Sequence, residues 1–117
     1  MSGEITIFHN PNCGTSRNAL AAIRAAGLHP TVIEYLKTGW TVQQLGQLLG
    51  EMKMSARDIL RVRGTPAEEL GLTRPSVSDD AILAAMAQHP VLVERPIVRA
   101  PKGTVLARPV EKLETVL

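Results

Sequence analysis

The chain has 117 residues, 44% hydrophobic and 21% charged, which suits one globular domain over 1–117 with its own core. Its net charge of +2 is too small to point to nucleic acid, and no apolar run approaches the length of a membrane span. A single cysteine excludes a disulfide framework, and with no leader-like basic and apolar segment at the N-terminus, a reducing, cytoplasmic setting is expected.

Residues 4–36 predict a β-α-β unit. Ile5-Thr6-Ile7-Phe8 has the content of a short apolar strand. From Ser16 to Ala26, the residues Ala19, Leu20, Ile23 and Ala26 recur at helical spacing, and Gly27 supplies a stop. Thr31-Val32-Ile33-Glu34-Tyr35 is rich in β-branched residues and predicts a second strand. Tyr35 and Trp40 read as packing residues flanking a turn at Gly39.

The middle of the chain, about residues 41–89, predicts a helical insert. Thr41-Val42-Gln43-Gln44 is a capping box leading into Leu45, Leu48 and Leu49. Ser55 can cap a short helix containing Ile59 and Leu60. Thr65-Pro66 pairs an N-cap with proline at the first helical position. Ser78-Asp79-Asp80 starts a further helix carrying Ile82, Leu83 and Met86, and His89-Pro90 ends it.

The last third changes period. Pro96–Arg99 and Thr104–Arg108 predict a hairpin around Pro101-Lys102-Gly103. Pro109 then opens a final helix with Val110, Leu113 and Leu117 along one side. The order is β-α-β, helical insert, β-β-α. This is an α/β, thioredoxin-like arrangement: a small mixed four-stranded sheet flanked by helices, split in sequence by the insert.

Between the first strand and helix lies His9-Asn10-Pro11-Asn12-Cys13-Gly14-Thr15, a polar turn. A thiol there faces the positive end of the helix dipole and main-chain N–H groups without intrahelical partners. Both favour thiolate and offer a seat for an anion. An unperturbed thiol, with a pKa of about 8.5, is mostly protonated at neutral pH, and lowering it by ~2 units takes about 2.7 kcal/mol. A buried structural cysteine would sit more naturally in an apolar run. The positive charge is mostly arginine, nine against four lysines, and arginine offers the forked grip that oxyanions favour.

The segment His9-Asn10-Pro11-Asn12-Cys13-Gly14-Thr15-Ser16-Arg17-Asn18 resembles the active-site signature of the glutaredoxin-coupled arsenate reductases. The similarity continues through Ile59-Leu60-Arg61, His89-Pro90, Arg95-Pro96-Ile97-Val98, Gly103-Thr104 and Arg108-Pro109, in the family's order. The resemblance implies that Cys13 is the catalytic cysteine and that His9 influences its ionisation. It implies that Arg61, Arg95 and Arg108 hold the oxyanion and the arsenic intermediates, and that Pro96 is preceded by a cis peptide. It also implies reduction of arsenate to arsenite, an arsenic-detoxifying activity. Glutathione would serve as co-substrate and glutaredoxin as protein partner, with no bound cofactor and no nucleic-acid or membrane partner.

The residues agree with that chemistry. Reducing arsenate takes two electrons from two thiols, and one cysteine supplies only one of them. No clustered Cys, His or carboxylate spacing points to a metal. Arg17, one turn into the first helix, suits either a solvated charge or an anion contact, and nothing local separates Arg61 from Arg63. His29 and His89 read as structural. A phosphatase-type loop needs arginine where this chain has Ala19. Two alternatives stay open: a monothiol glutaredoxin-like oxidoreductase, from the Cys13-Gly14-Thr15-Ser16 spacing, and a polymerase-binding regulator of the same fold. Ser16 rules out the dithiol switch typical of such regulators.

Overall fold

A computed structural model describes residues 4–117. Four strands form one mixed sheet: β1 (Thr6–His9), β2 (Thr31–Glu34), β3 (Ile97–Ala100) and β4 (Gly103–Leu106), in the order β2-β1-β3-β4. β1 runs parallel to β2 and antiparallel to β3, and β3 and β4 form an antiparallel hairpin. The two-residue link Pro101-Lys102 lets Ala100 face Gly103 directly, so β3 is shifted one residue towards the turn, and β4 starts one residue before the expected Thr104 and ends two before Arg108. β1 is central, and its adjacent residues Ile7 and Phe8 are both buried although their side chains leave opposite faces.

The helix α1 (Gly14–Ala25) crosses from β1 to β2. It starts before the predicted Ser16, so Cys13 itself is the N-cap. It ends as Gly27 predicts. Gly27 has φ 81°, its N–H donates to the Arg24 carbonyl, and the Leu28 N–H reaches back to that of Ile23. These paired bonds form a Schellman motif, whose left-handed residue suits glycine. Ala19 and Ile23 of α1 pack with Ile5, Ile7, Val98 and Ala100 of the sheet and with Leu113 and Val116. The C-terminal segment Val110–Thr115 is a 3-10 helix; the expected Val110, Leu113 and Leu117 all pack on the core, and Val116, just after the helix, is buried with Leu113. A spacing of three keeps side chains on one side of a 3-10 turn.

The backbone clusters into two units, one containing the residues up to Thr38 together with Arg95–Leu117, the other Gly39–Glu94. The first holds the whole sheet, α1 and the short helix α2 (Tyr35–Thr38), which begins where the second strand was predicted to end. The second, the insert, is wider than the predicted 41–89 because residues 90–94 belong to it. It contains α3 (Val42–Met52), a 3-10 turn (Arg57–Ile59), α4 (Asp79–Gln88) and a second 3-10 turn (Pro90–Leu92). Thr41 and Ser78 cap α3 and α4, accepting from the N–H groups of Gln44 and Ala81. Asp79 ties the first 3-10 turn to α4 by accepting from the N–H groups of Ala56 and Arg57 at 3.2 and 3.4 Å. The insert core contains Leu45, Leu48, Ile59, Ile82, Met86 and Leu92.

The Thr65-Pro66 signal gives a cap without a helix. The Ala67 N–H donates to Thr65 Oγ1 at 3.2 Å and one helical turn closes from Leu70 to Pro66. The chain then bends at Gly71, φ 75°, before a second turn can form. Among the described residues no helix is long and apolar enough to cross a membrane.

Candidate active site

Cys13 is 9% exposed and lies where β1 hands over to α1. The turn is built by its own polar groups. Asn10 accepts the Asn12 N–H on Oδ1 at 2.9 Å, and its carbonyl accepts the Cys13 N–H at 3.0 Å. This is the Asx-turn chemistry that asparagine favours. Arg17, exposed on α1, donates Nη1 to the Pro11 carbonyl at 2.9 Å, so its guanidinium braces the turn.

The opposite end of the chain supplies the cations. Arg95 stands two residues before β3, and Arg108 two residues after β4. Antiparallel pairing of β3 with β1 and β4 carries both arginines to the Cys13 end of β1. Arg108 Nη1 donates to the Arg95 carbonyl at 2.9 Å and lies 3.8 Å from Cys13 Sγ. Each arginine precedes a cis proline, Arg95-Pro96 and Arg108-Pro109, so the cis bond implied at Pro96 is present. Arg95 Nε and Nη1 are buried without a hydrogen-bond partner. Buried guanidinium donors left unpaired cost about 1–3 kcal/mol or more, and acceptor oxygens would relieve that cost.

These surroundings set the thiol. Burial pushes the Cys13 pKa up, but hydrogen bonding from Arg95, the Ser16 main-chain N–H, the Arg95 charge and Arg108 together outweigh it. The result is a fall from 9.0 to about 7. The first turn of α1 therefore acts with the two arginines. About half the thiol is then ionised at neutral pH, beside cations suited to an oxyanion.

His9 closes β1 and is 5% exposed. Its Nδ1 lies 2.6 Å from Ser16 Oγ, which also accepts the Asn10 N–H at 3.0 Å. Burial is the main cause holding its pKa below 6.5; Glu34 opposes this, while Arg24 and Arg17 reinforce it. Ser16 thus meets His9 through its hydroxyl and Cys13 through its main-chain N–H, although the sequence marks it only as the absence of a second sulfur. No sequence signal identifies that hydroxyl as a bridge, because its partners become neighbours only when β1 and α1 fold together.

Arg61 belongs to the insert. Its Nη1 pairs with Glu94 Oε1 at 2.9 Å and both side chains are largely buried, whereas Arg63 is exposed. Leu60 and Val93 form an isolated antiparallel bridge beside that pair. The structure therefore brings together Cys13, Arg95 and Arg108, places His9 one residue removed, and gives Arg61 a partner of its own. Among the described residues no group of three His, Cys, Asp or Glu side chains is arranged to hold a metal ion.

Residues 8–116 match the model of the ArsC family. The chain is 50% identical over 113 residues to an arsenate reductase of Rhizobium meliloti, covering 97% of this chain and 81% of that protein. It is 49% identical to the arsenate reductase of Escherichia coli K12, with 97% and 81% covered. Among solved structures, an arsenate reductase from Vibrio cholerae superposes with a TM-score of 0.94 at 37% identity, covering 100% of both chains.

Proposed function

Because the chain belongs to the ArsC family, we propose that it reduces arsenate to arsenite, with Cys13 as nucleophile and glutathione and glutaredoxin as the sources of reducing power. The observation that carries this reading is the pairing of a thiol of pKa about 7 with buried, unpartnered donors on Arg95. Arsenate is an oxyanion needing forked donors, and arsenic is a soft centre that a thiolate attacks readily. Arg95 and Arg108 hold the oxyanion at the thiol. Arg61 enters as a third oxyanion ligand from the sequence resemblance, not from geometry.

In the first step the Cys13 thiolate bonds to arsenic and one arsenate oxygen, taking two protons, leaves as water. Glutathione then attacks the thiol-arsenic adduct. Arsenic gains two electrons, one from each sulfur as Cys13 and glutathione become joined, and arsenite is released. Glutaredoxin resolves the mixed disulfide and restores the thiol. A second thiol of this chain cannot take glutathione's part, because the chain has one cysteine. The reaction removes arsenate as a phosphate mimic, the detoxifying role suggested by the resemblance.

The test is arsenite formed per enzyme under defined reductants. Turnover is expected only with glutathione and a glutaredoxin together, and Cys13→Ser is expected to abolish it. Efficient turnover on thioredoxin alone would contradict the mechanism. Disulfide reduction without arsenate reduction would favour a monothiol glutaredoxin, and binding to polymerase with no arsenate protection of Cys13 would favour a regulator. Arg61→Lys is expected to lose more activity than Arg63→Lys, since only Arg61 is held in place, through Nη1 on Glu94, and lysine would lose the forked donors. Equal tolerance at both positions would remove Arg61 from the oxyanion set.

A further inference from the structure

We infer that Ser16 is a positioning residue for the Cys13 nucleophile, coupling His9 to the thiol by fixing the end of β1, the turn and the first turn of α1 as one unit. This rests on Cys13 being the nucleophile, and not on which oxyanion it attacks. Ser16 is completely buried. Its Oγ accepts the Asn10 N–H at 3.0 Å and lies 2.6 Å from His9 Nδ1. Its main-chain N–H favours the Cys13 thiolate. One residue therefore touches three positions of the turn, 9, 10 and 13, through different atoms.

The hydroxyl has one hydrogen to donate and two lone pairs to accept with. The Asn10 N–H uses one lone pair of Oγ. His9 is buried, with Glu34 of β2 favouring its charged form and Arg24 and Arg17 of α1 opposing it. A neutral ring can accept at Nδ1, so the Ser16 hydroxyl donates to His9 and the ring proton rests on Nε2. This tautomer is part of the inference, and the ¹⁵N measurement below reads it directly. Alanine at 16 would leave both the Asn10 N–H and the His9 nitrogen without this partner. A thiol there would be a larger and weaker donor. The serine is thus a functional choice at a position where a dithiol enzyme would carry sulfur. Arg95 and Arg108 are the charged groups acting on Cys13 itself.

The experiment measures the pH dependence of Cys13 alkylation in the wild type, Ser16→Ala, Ser16→Thr, His9→Ala and the Ser16→Ala/His9→Ala double variant. It is combined with ¹⁵N NMR of His9. Ser16→Ala is expected to raise the alkylation midpoint by about half a unit to one unit, because the turn that presents the N–H loosens. Ser16→Thr, which keeps the hydroxyl, is expected to stay near the wild type. His9→Ala is expected to shift the midpoint in the same direction, and the double variant no further than the larger single change, since both break one coupling. Wild-type His9 is expected to show an acceptor-type Nδ1, and Ser16→Ala a mixture of tautomers. An unmoved midpoint in Ser16→Ala, fully additive shifts, or a protonated Nδ1 in the neutral wild-type ring would each overturn the inference. None of these readouts uses arsenate, so they are decided separately from the proposed reduction.

Discussion

Cys13 owes its depressed pKa to residues it meets from both ends of the chain, and their contributions differ. Arg95 acts through a hydrogen bond and its charge, while Arg108 contributes less, from 3.8 Å. Iodoacetamide alkylation is therefore expected to titrate with a midpoint near 7. Arg95→Met is expected to raise that midpoint more than Arg108→Met. Sulfate or arsenate at the site is expected to raise it too, because a bound anion opposes a second negative charge. A wild-type midpoint at or above about 8.5 would refute the electrostatic account. The cysteine was legible in the sequence because the turn around it is local. The arginines were legible only through a resemblance. Arg61 and Arg63 look alike as letters, and differ because one is paired with Glu94 and the other is exposed.

At the level of elements, local signals were reliable where the chain had room to complete them. Thr41 and Ser78 make their predicted cap bonds, and each is followed by at least ten helical residues. Thr65 makes its cap bond as well, but Gly71 turns the chain away after one helical turn. Helix nucleation is costly, and a cap cannot replace the propagation that offsets it. Glycines separate by the same logic. Gly27 has φ 81° and closes α1, so Gly27→Ala is expected to destabilise by about 1 kcal/mol. Gly46 lies exposed inside α3 with nothing near its would-be Cβ, so Gly46→Ala is expected to stabilise by about 0.5–1 kcal/mol. Urea midpoints of the two variants check this directly. Shifts of the same sign would show that backbone conformation does not govern these positions.

For the whole molecule, the depressed thiol pKa is also a statement about stability. The unfolded chain keeps its Cys13 proton up to about 9.0, and the folded chain releases it near 7. Between those values the unfolded state binds more protons, so stability rises with pH. The contribution is fully present above 9.0 and is lost as pH falls through 7, and two units correspond to about 3 kcal/mol. Urea unfolding of wild type and Cys13→Ser at several pH values is expected to show a gap that grows in favour of the wild type between those limits. A constant gap would mean that the thiolate is not held preferentially in the native state. The sequence by itself determined the order of the four strands, the caps at Thr41 and Ser78, the helix stop at Gly27 and the placement of Cys13 at a helix start, because each depends on neighbours within a few residues. Only the tertiary structure decided what surrounds that thiol. Cys13 and Arg108 are 95 residues apart and meet because β3 and β4 pair back onto β1. The His9–Ser16 bond likewise waits for α1 to dock against the end of β1. Long-range pairing and burial bring two scattered arginines to a polar turn and lower the pKa of its thiol, and no local pattern encodes that proximity.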